Sequence, residues 1–263
     1  AGAGAAAAWE EVAGGLTGKQ AGTNFTNSIL IGHSTTGTLD AAIENVGVGI
    51  NALDAITAGD SNVAVGFDAG SSLTTGSTNT MVGLDTGTNM LGGGGNTFIG
   101  QSAGLRNVNG SYNTAIGGSA LQGAGGQTHS LNTAVGQSAL LSISTGGSNL
   151  GLGYGAGDNI TTGSGNVVLG KADVSSATGD DQLSISDGED GSVVWMTGDS
   201  SAKLTFPGAL QVSGAVTVGV DDTGLDVKFF GASAGAYMEW DESADQLRIM
   251  GASADATTST GKL

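Results

Sequence analysis

The chain of 263 residues has no cysteine, one proline and only 7 lysines and arginines. Without cysteine there is no disulfide framework and no cysteine-based zinc or iron–sulfur site. One proline beside 50 glycines, with no Gly-X-Y period, excludes a collagen triple helix. Aromatic residues make up 5%, too few to anchor one thick core, so small side chains must pack in thin layers. With 24 acidic residues the net charge is −17, which opposes nucleic acid and anionic membrane as partners, since both select cationic surfaces. No run of 18 apolar residues exists, so no membrane insertion is expected. The stretch Ala1 to Ala8 has neither the basic region nor the apolar segment of a signal peptide.

What the chain does have is aliphatic residues at fixed intervals. Apolar residues reach 38%, more than a disordered chain would carry. Glycine closes a short apolar run at Gly32, Gly49, Gly66, Gly83, Gly100, Gly117, Gly136, Gly153 and Gly170. The spacing is constant except from Gly117 to Gly136, where the segment around Gly125 to His129 reads as a two-residue insertion in a turn. A sustained period of about 17 residues marks a solenoid, one supersecondary unit per repeat.

Four residues before the glycines stand Asn45, Asn62, Asn79, Asn96, Asn113, Asn132, Asn149 and Asn166, with Ser28 in the first copy. Between this anchor and the glycine the third position is always aliphatic: Ile31, Val48, Val65, Val82, Ile99, Ile116, Val135, Leu152 and Leu169. The first position is β-branched or Leu. Period-two alternation puts first and third positions on one face of a strand, and that face is expected to be the core. On this reading Ile116→Asp unfolds the neighbouring coils, because a buried carboxylate has no partner there. A small residue follows three positions after most glycines, then Thr/Ser-Gly segments such as Thr74 to Gly76 predict turns. Stacked at the strand spacing of about 4.8 Å, the nine coils would extend roughly 40 Å. Their asparagines would align in a ladder whose amides hydrogen-bond to one another. A coil with so few aliphatics buries little against chain entropy, so association with other chains is expected.

Beyond about Ala177 the period stops, and 14 of the 24 carboxylates follow. Strand-like runs are expected at 182–186, 192–196, 202–206, 210–212, 215–220, 226–230, 236–240 and 246–250. Trp195 and Trp240 are expected as core anchors of small β-modules, with exposed sugar-stacking platforms as the competing reading. The expected division is residues 1–26 as an attachment or capping segment, 27–173 as the repeat roll, 174–220 as a β-rich shaft and 221–263 as a C-terminal β-module.

No catalytic, cofactor or metal site is expected. Gly100 to Gly104 matches the nucleophile-elbow pattern around Ser102, but its glycines belong to the repeat and no helix follows. His33 and His129 lie in turn segments with nothing arranged as a triad. Gly151 to Ala156 imitates a dinucleotide fingerprint in the same repeat register. Asn96 with Thr97 stands where a calcium-binding glycine-rich coil needs aspartate. The acidic pairs Asp180-Asp181, Glu189-Asp190, Asp221-Asp222 and Asp241-Glu242 read as solvated turns.

The motif Asn132-Thr133-Ala134-Val135-Gly136 followed by Ala139-Leu140 resembles the head repeats of trimeric autotransporter adhesins, which read Asn-Ser-Val-Ala-Ile-Gly and form a parallel β-roll in a homotrimer. Those repeats are usually shorter than the unit found in this chain. Residues Gly219 to Gly231 and Tyr237 to Asp245, preceded by Phe206-Pro207-Gly208, resemble a module of structural proteins from marine and cyanobacterial phages. The resemblance implies an all-β, intertwined homotrimer: a parallel β-roll of about nine coils followed by β-rich shaft modules. It further implies a non-enzymatic phage fibre, most readily a tail fibre, on the virion surface. Its partners would be two further copies of itself, other tail or capsid proteins and a host cell-surface receptor of glycan type. A bacterial surface adhesin passenger is the alternative, and a polysaccharide-degrading spike a more distant one.

Overall fold

A computed structural model describes residues 9–12, 16–22, 25–32, 39–214, 227–230, 237–241 and 246–250. All regular structure among them is β. The chain divides into two compact units, Ala1–Ala209 and Leu210–Leu263.

The first unit is a solenoid. Strands β1 (Trp9–Val12), β2 (Leu16–Gly22) and β3 (Phe25–Ile31) form an antiparallel meander. From β3 onward the pairing becomes parallel through β4 (Val46–Val48), β5 (Val63–Val65), β6 (Thr80–Val82), β7 (Thr97–Ile99), β8 (Thr114–Ile116), β9 (Thr133–Val135), β10 (Leu150–Leu152) and β11 (Val167–Leu169). Each strand pairs with its own copy one period on, as Val65 with Val82 and Ile99 with Ile116. Strand β12 (Leu183–Ser186) continues the parallel stack beyond residue 173, its Leu183 opposite Val167. The stack then closes antiparallel with β13 (Val194–Gly198) and β14 (Leu204–Thr205). The stretch 210–212 forms no strand, and 215–220 lies outside the described residues. In the second unit β15 (Val227–Phe230), β16 (Tyr237–Asp241) and β17 (Gln246–Met250) make an antiparallel meander.

The period is as expected, but the phase of the alternation is opposite. The fully buried residue of each strand is the middle one: Leu30, Ala64, Met81, Phe98, Ala115, Ala134 and Val168 all have zero exposure. The third positions face out: Val48, Val65, Val82, Ile99, Ile116 and Leu152 are 36% to 48% exposed, and Ile31, Val135 and Leu169 are half-buried. The expected core assignment of these nine residues is therefore corrected, and Ile116 no longer predicts unfolding of its coil. Alternation fixes which positions share a face, not which face is inside. The interior is so narrow that most coils admit only a small residue there.

Volume compensation fills that narrow interior. In the two coils whose middle residue is Phe98 or Met81, the position four after the closing glycine is glycine, because a Cβ at Gly104 would run into the Phe98 ring and one at Gly87 would lie 2.8 Å from the Met81 sulfur. Gly70 and Gly157, beside the small Ala64 and Gly151, leave room instead for side chains of neighbouring coils such as Met81 and Leu140. In the coils of Gly47, Ala115 and Ala134 the buried Leu53, Leu121 and Leu140 supply the bulk. Ile56, Leu73, Met90, Ile143 and Ile160 complete the inner layer. The closing glycine is required for two reasons. Gly66 has φ +141°, and a Cβ there would come within 2.7 Å of the Gly83 carbonyl carbon in the next coil.

Candidate functional site

Two continuous features of the solenoid are candidates for function: the buried asparagine ladder and the outward face of the parallel sheet. All eight ladder asparagines are buried. Each rung repeats one geometry. The Asn96 side-chain Nδ2 donates to Asn79 Oδ1 at 2.9 Å and to the Gly110 carbonyl at 2.9 Å, and its backbone N–H also donates to Asn79 Oδ1. Asn96 Oδ1 in turn accepts from the Asn113 N–H and Nδ2. Every donor and acceptor is thus used, which is the condition under which a buried polar network stabilises. Ser28 starts the ladder by accepting the Asn45 N–H at 2.8 Å. Gln182 ends it, donating to Asn166 Oδ1 while its own Oε1 accepts from Ser175 and Ser176.

The ladder runs on across the insertion, with Asn132 still donating to Asn113 Oδ1, but two buried side chains at this level, one in each adjoining coil, stay outside it. Asn107 occupies the place held by Met90 and Leu73 in earlier coils. His129 occupies the place of Gly93 and Gly110, and its carbonyl still accepts from Asn113 Nδ2. Both side chains are buried, yet Asn107 Nδ2 and both ring nitrogens of His129 have no hydrogen-bond partner. Burial lowers the His129 pKa to about 4, because the apolar surroundings disfavour the cation.

None of the motif resemblances assembles into chemistry. Ser102 has the left-handed φ of 57° expected of an elbow. Asp68, Asp85, Ser119 and Ser138 share that conformation at the same repeat position, so it belongs to the coil corner and not to a nucleophile. The His129 ring does not reach it, and His33 lies outside the described residues. Gly151 to Ala156 spans β10 and the next corner, with no helix following. Asn96 has no ligating capacity to spare for calcium, because its amide is fully used in the ladder. Asp180 accepts the Ser164 N–H and Asp190 the Ser192 N–H. Three backbone N–H groups from Asp190, Gly191 and Val193 converge on the Asp187 carboxylate and hold its pKa below the usual range. Burial, then the neighbouring Asp158 charge, pushes Asp173 up. Among the described residues no group of three or more His, Asp or Glu is placed to hold a metal ion. Asp221 and Asp222 lie outside the described residues, as does Glu242.

The tryptophans are not core anchors. Trp195 is 57% exposed and Trp240 45%. Trp195 and Phe206 border an open, mostly apolar hollow of about 420 Å³ beside β13. In the second unit Phe229 pairs with Met238 and Trp240 with Leu247 across the meander, and all four are exposed. The opposite face carries an ion pair of Lys228 with Glu239 at 3.1 Å, and Lys228 also lies 3.7 Å over the Tyr237 ring. Residues that the sequence pattern did not single out lie beside the outward third positions: Ile50, Phe67, Leu84 and Tyr154, each one residue after the closing glycine and each exposed.

Comparison of the chain with protein-family models, curated proteins and solved structures finds no match.

Proposed function

We propose that this protein is a structural fibre of a phage particle, most readily a tail fibre, built as a homotrimer whose β-roll is displayed on the virion surface for attachment to a host glycan. The chain acts as a scaffold and not as an enzyme. The observation that carries the reading is how little a single chain covers its own apolar side chains from the end of the β13–β14 hairpin onward. Residues 199–214 are exposed throughout, although they include Leu204, Phe206, Leu210 and Val212, at 44% to 65% exposure. Apolar side chains left this exposed are what an intertwined shaft leaves behind when one chain is viewed alone. The resemblance of the stretch from Phe206 to Asp245 to modules of phage structural proteins points the same way.

The test is immunogold electron microscopy with antibodies raised against the purified chain, applied to particles produced from the genome that encodes it. Label at the tips or sides of tail fibres is the expected result. Label on the bacterial envelope alone would favour the adhesin, and label on neither would overturn the reading. Incubation of the purified protein with host surface polysaccharide should release no reducing ends. Release would instead identify a degrading spike.

A further inference from the structure

We propose that the outward face of the parallel sheet, led by Val48, Val65, Val82, Ile99, Ile116 and Leu152, is the surface on which copies of this chain pack against one another. The inference rests on the reading of the protein as a self-associating fibre and assigns that association to one face. Each of these side chains is covered above and below by its counterpart in the next strand. Its remaining exposure therefore points along the sheet normal alone. The first strand positions, from Val46 to Val167, are half-buried beside them, and Ile50, Phe67, Leu84 and Tyr154 widen the face.

The face is nearly uncharged in a chain of net charge −17. Across the first, third and post-glycine positions of β4 to β11, Lys171 in the last coil is the one charged residue. The nearest carboxylates, Asp68 and Asp85, sit one residue beyond, at the left-handed corner. Two copies meeting here leave their carboxylates at a solvated rim and desolvate none at the centre.

The occupant is a second copy because of the period. Eight strands at about 4.8 Å give a corrugated face roughly 34 Å long, and ridges at that spacing mesh along their length only with a surface of the same translational repeat. The chain itself supplies one. With a width of about 13 Å for three positions, each copy offers on the order of 450 Å². Each copy covers about 450 Å² here whether two faces meet or three converge, about 900 Å² in total for a pair and about 1,350 Å² for three. The copy number of three is that of the fibre reading on which this assignment rests.

Light scattering on the full chain and on the double variant Val82→Asp/Ile99→Asp tests this, with far-UV circular dichroism as the control for folding. The expected result is three times 25.4 kDa for the native chain and 25.4 kDa for the folded variant. A variant that stays trimeric overturns this assignment and leaves the fibre reading standing. A native chain with the mass of a single copy at all concentrations overturns both. Should the variant not fold, single cysteines decide, since the chain has none of its own. Val82→Cys is expected to form an inter-chain disulfide on mild oxidation, and Thr75→Cys, exposed on the far turn, is not. Cross-linking at Thr75→Cys equal to or greater than at Val82→Cys contradicts the assignment.

Discussion

The two faces of each three-residue strand obey opposite rules. The inward column runs from Gly47 to Phe98 in size and is fully buried throughout. The outward third column is uniformly Val, Ile or Leu and is exposed or half-buried. Inside, one coil adjusts to its neighbours by exchanging volume between columns, so that size varies while polarity cannot. Outside, uniform size keeps the face regular over its whole length, as packing against a periodic partner requires. On the proposed association, a column that is apolar and constant marks an external contact, and a column that is apolar and variable an internal one.

One charge placed in turn on each side of the same strand separates the two faces most strongly. Ala115→Asp buries an unpaired carboxylate and is expected to cost more than about 4 kcal/mol, abolishing the cooperative melt of the solenoid. Ile116→Asp, one residue on, is expected to keep the far-UV β signal and change the association state instead. Next in size, Phe98→Ala should cost about 3–5 kcal/mol in denaturant unfolding. Adding Gly104→Leu recreates the Ala115 and Leu121 arrangement of the following coil, in which Leu121 keeps φ 52°. The pair should recover about 1–3 kcal/mol through coupling.

The ladder supplies a somewhat smaller effect. Asn96→Leu would remove the donors to Asn79 and Gly110 and the acceptor for Asn113, with an expected loss of about 2–4 kcal/mol and faster amide exchange confined to adjacent coils. Smallest is the effect of pH at the insertion. His129 is held at about 4, below its ordinary 6.5, so the folded state favours the neutral ring and the unfolded chain binds the proton more readily. Its contribution is therefore complete above pH 6.5 and is lost as pH falls toward 4, by roughly 3 kcal/mol at most. His129→Leu should flatten the stability profile across that window, as measured by urea unfolding at pH 4, 5, 6 and 7.

Much of the solenoid is legible in the residues. The glycines from Gly49 to Gly170 give the coil length, because only glycine fits both the backbone angle and the close approach of the next coil. The asparagines give the ladder, because a polar residue recurring beside a core must satisfy itself. The phase is not legible from alternation, since the outward third positions are at least as apolar as the inward middle ones. A usable signal is nonetheless present: Phe98 with Gly104 and Met81 with Gly87, against Ala115 with Leu121 and Ala134 with Leu140, exchange volume as only residues sharing one interior do. Strand β12 escapes the periodic pattern because its spacing from β11 is one position shorter than the repeat, yet it still pairs in parallel. The aromatic pattern points Trp195 and Trp240 inward because their cover, on the present reading, comes from other chains, which no single sequence displays.

The central claim, that the middle residue of each strand faces in and the third faces a second copy, is tested most directly by two adjacent cysteines. Ala115→Cys and Ile116→Cys each introduce one thiol into a chain that has none, and gel mobility after mild oxidation of the folded protein reads the outcome. Ile116→Cys is predicted to give a covalent pair, while Ala115→Cys stays uncoupled and unreactive until the chain is unfolded. Coupling through Ala115→Cys with Ile116→Cys inert would contradict the account.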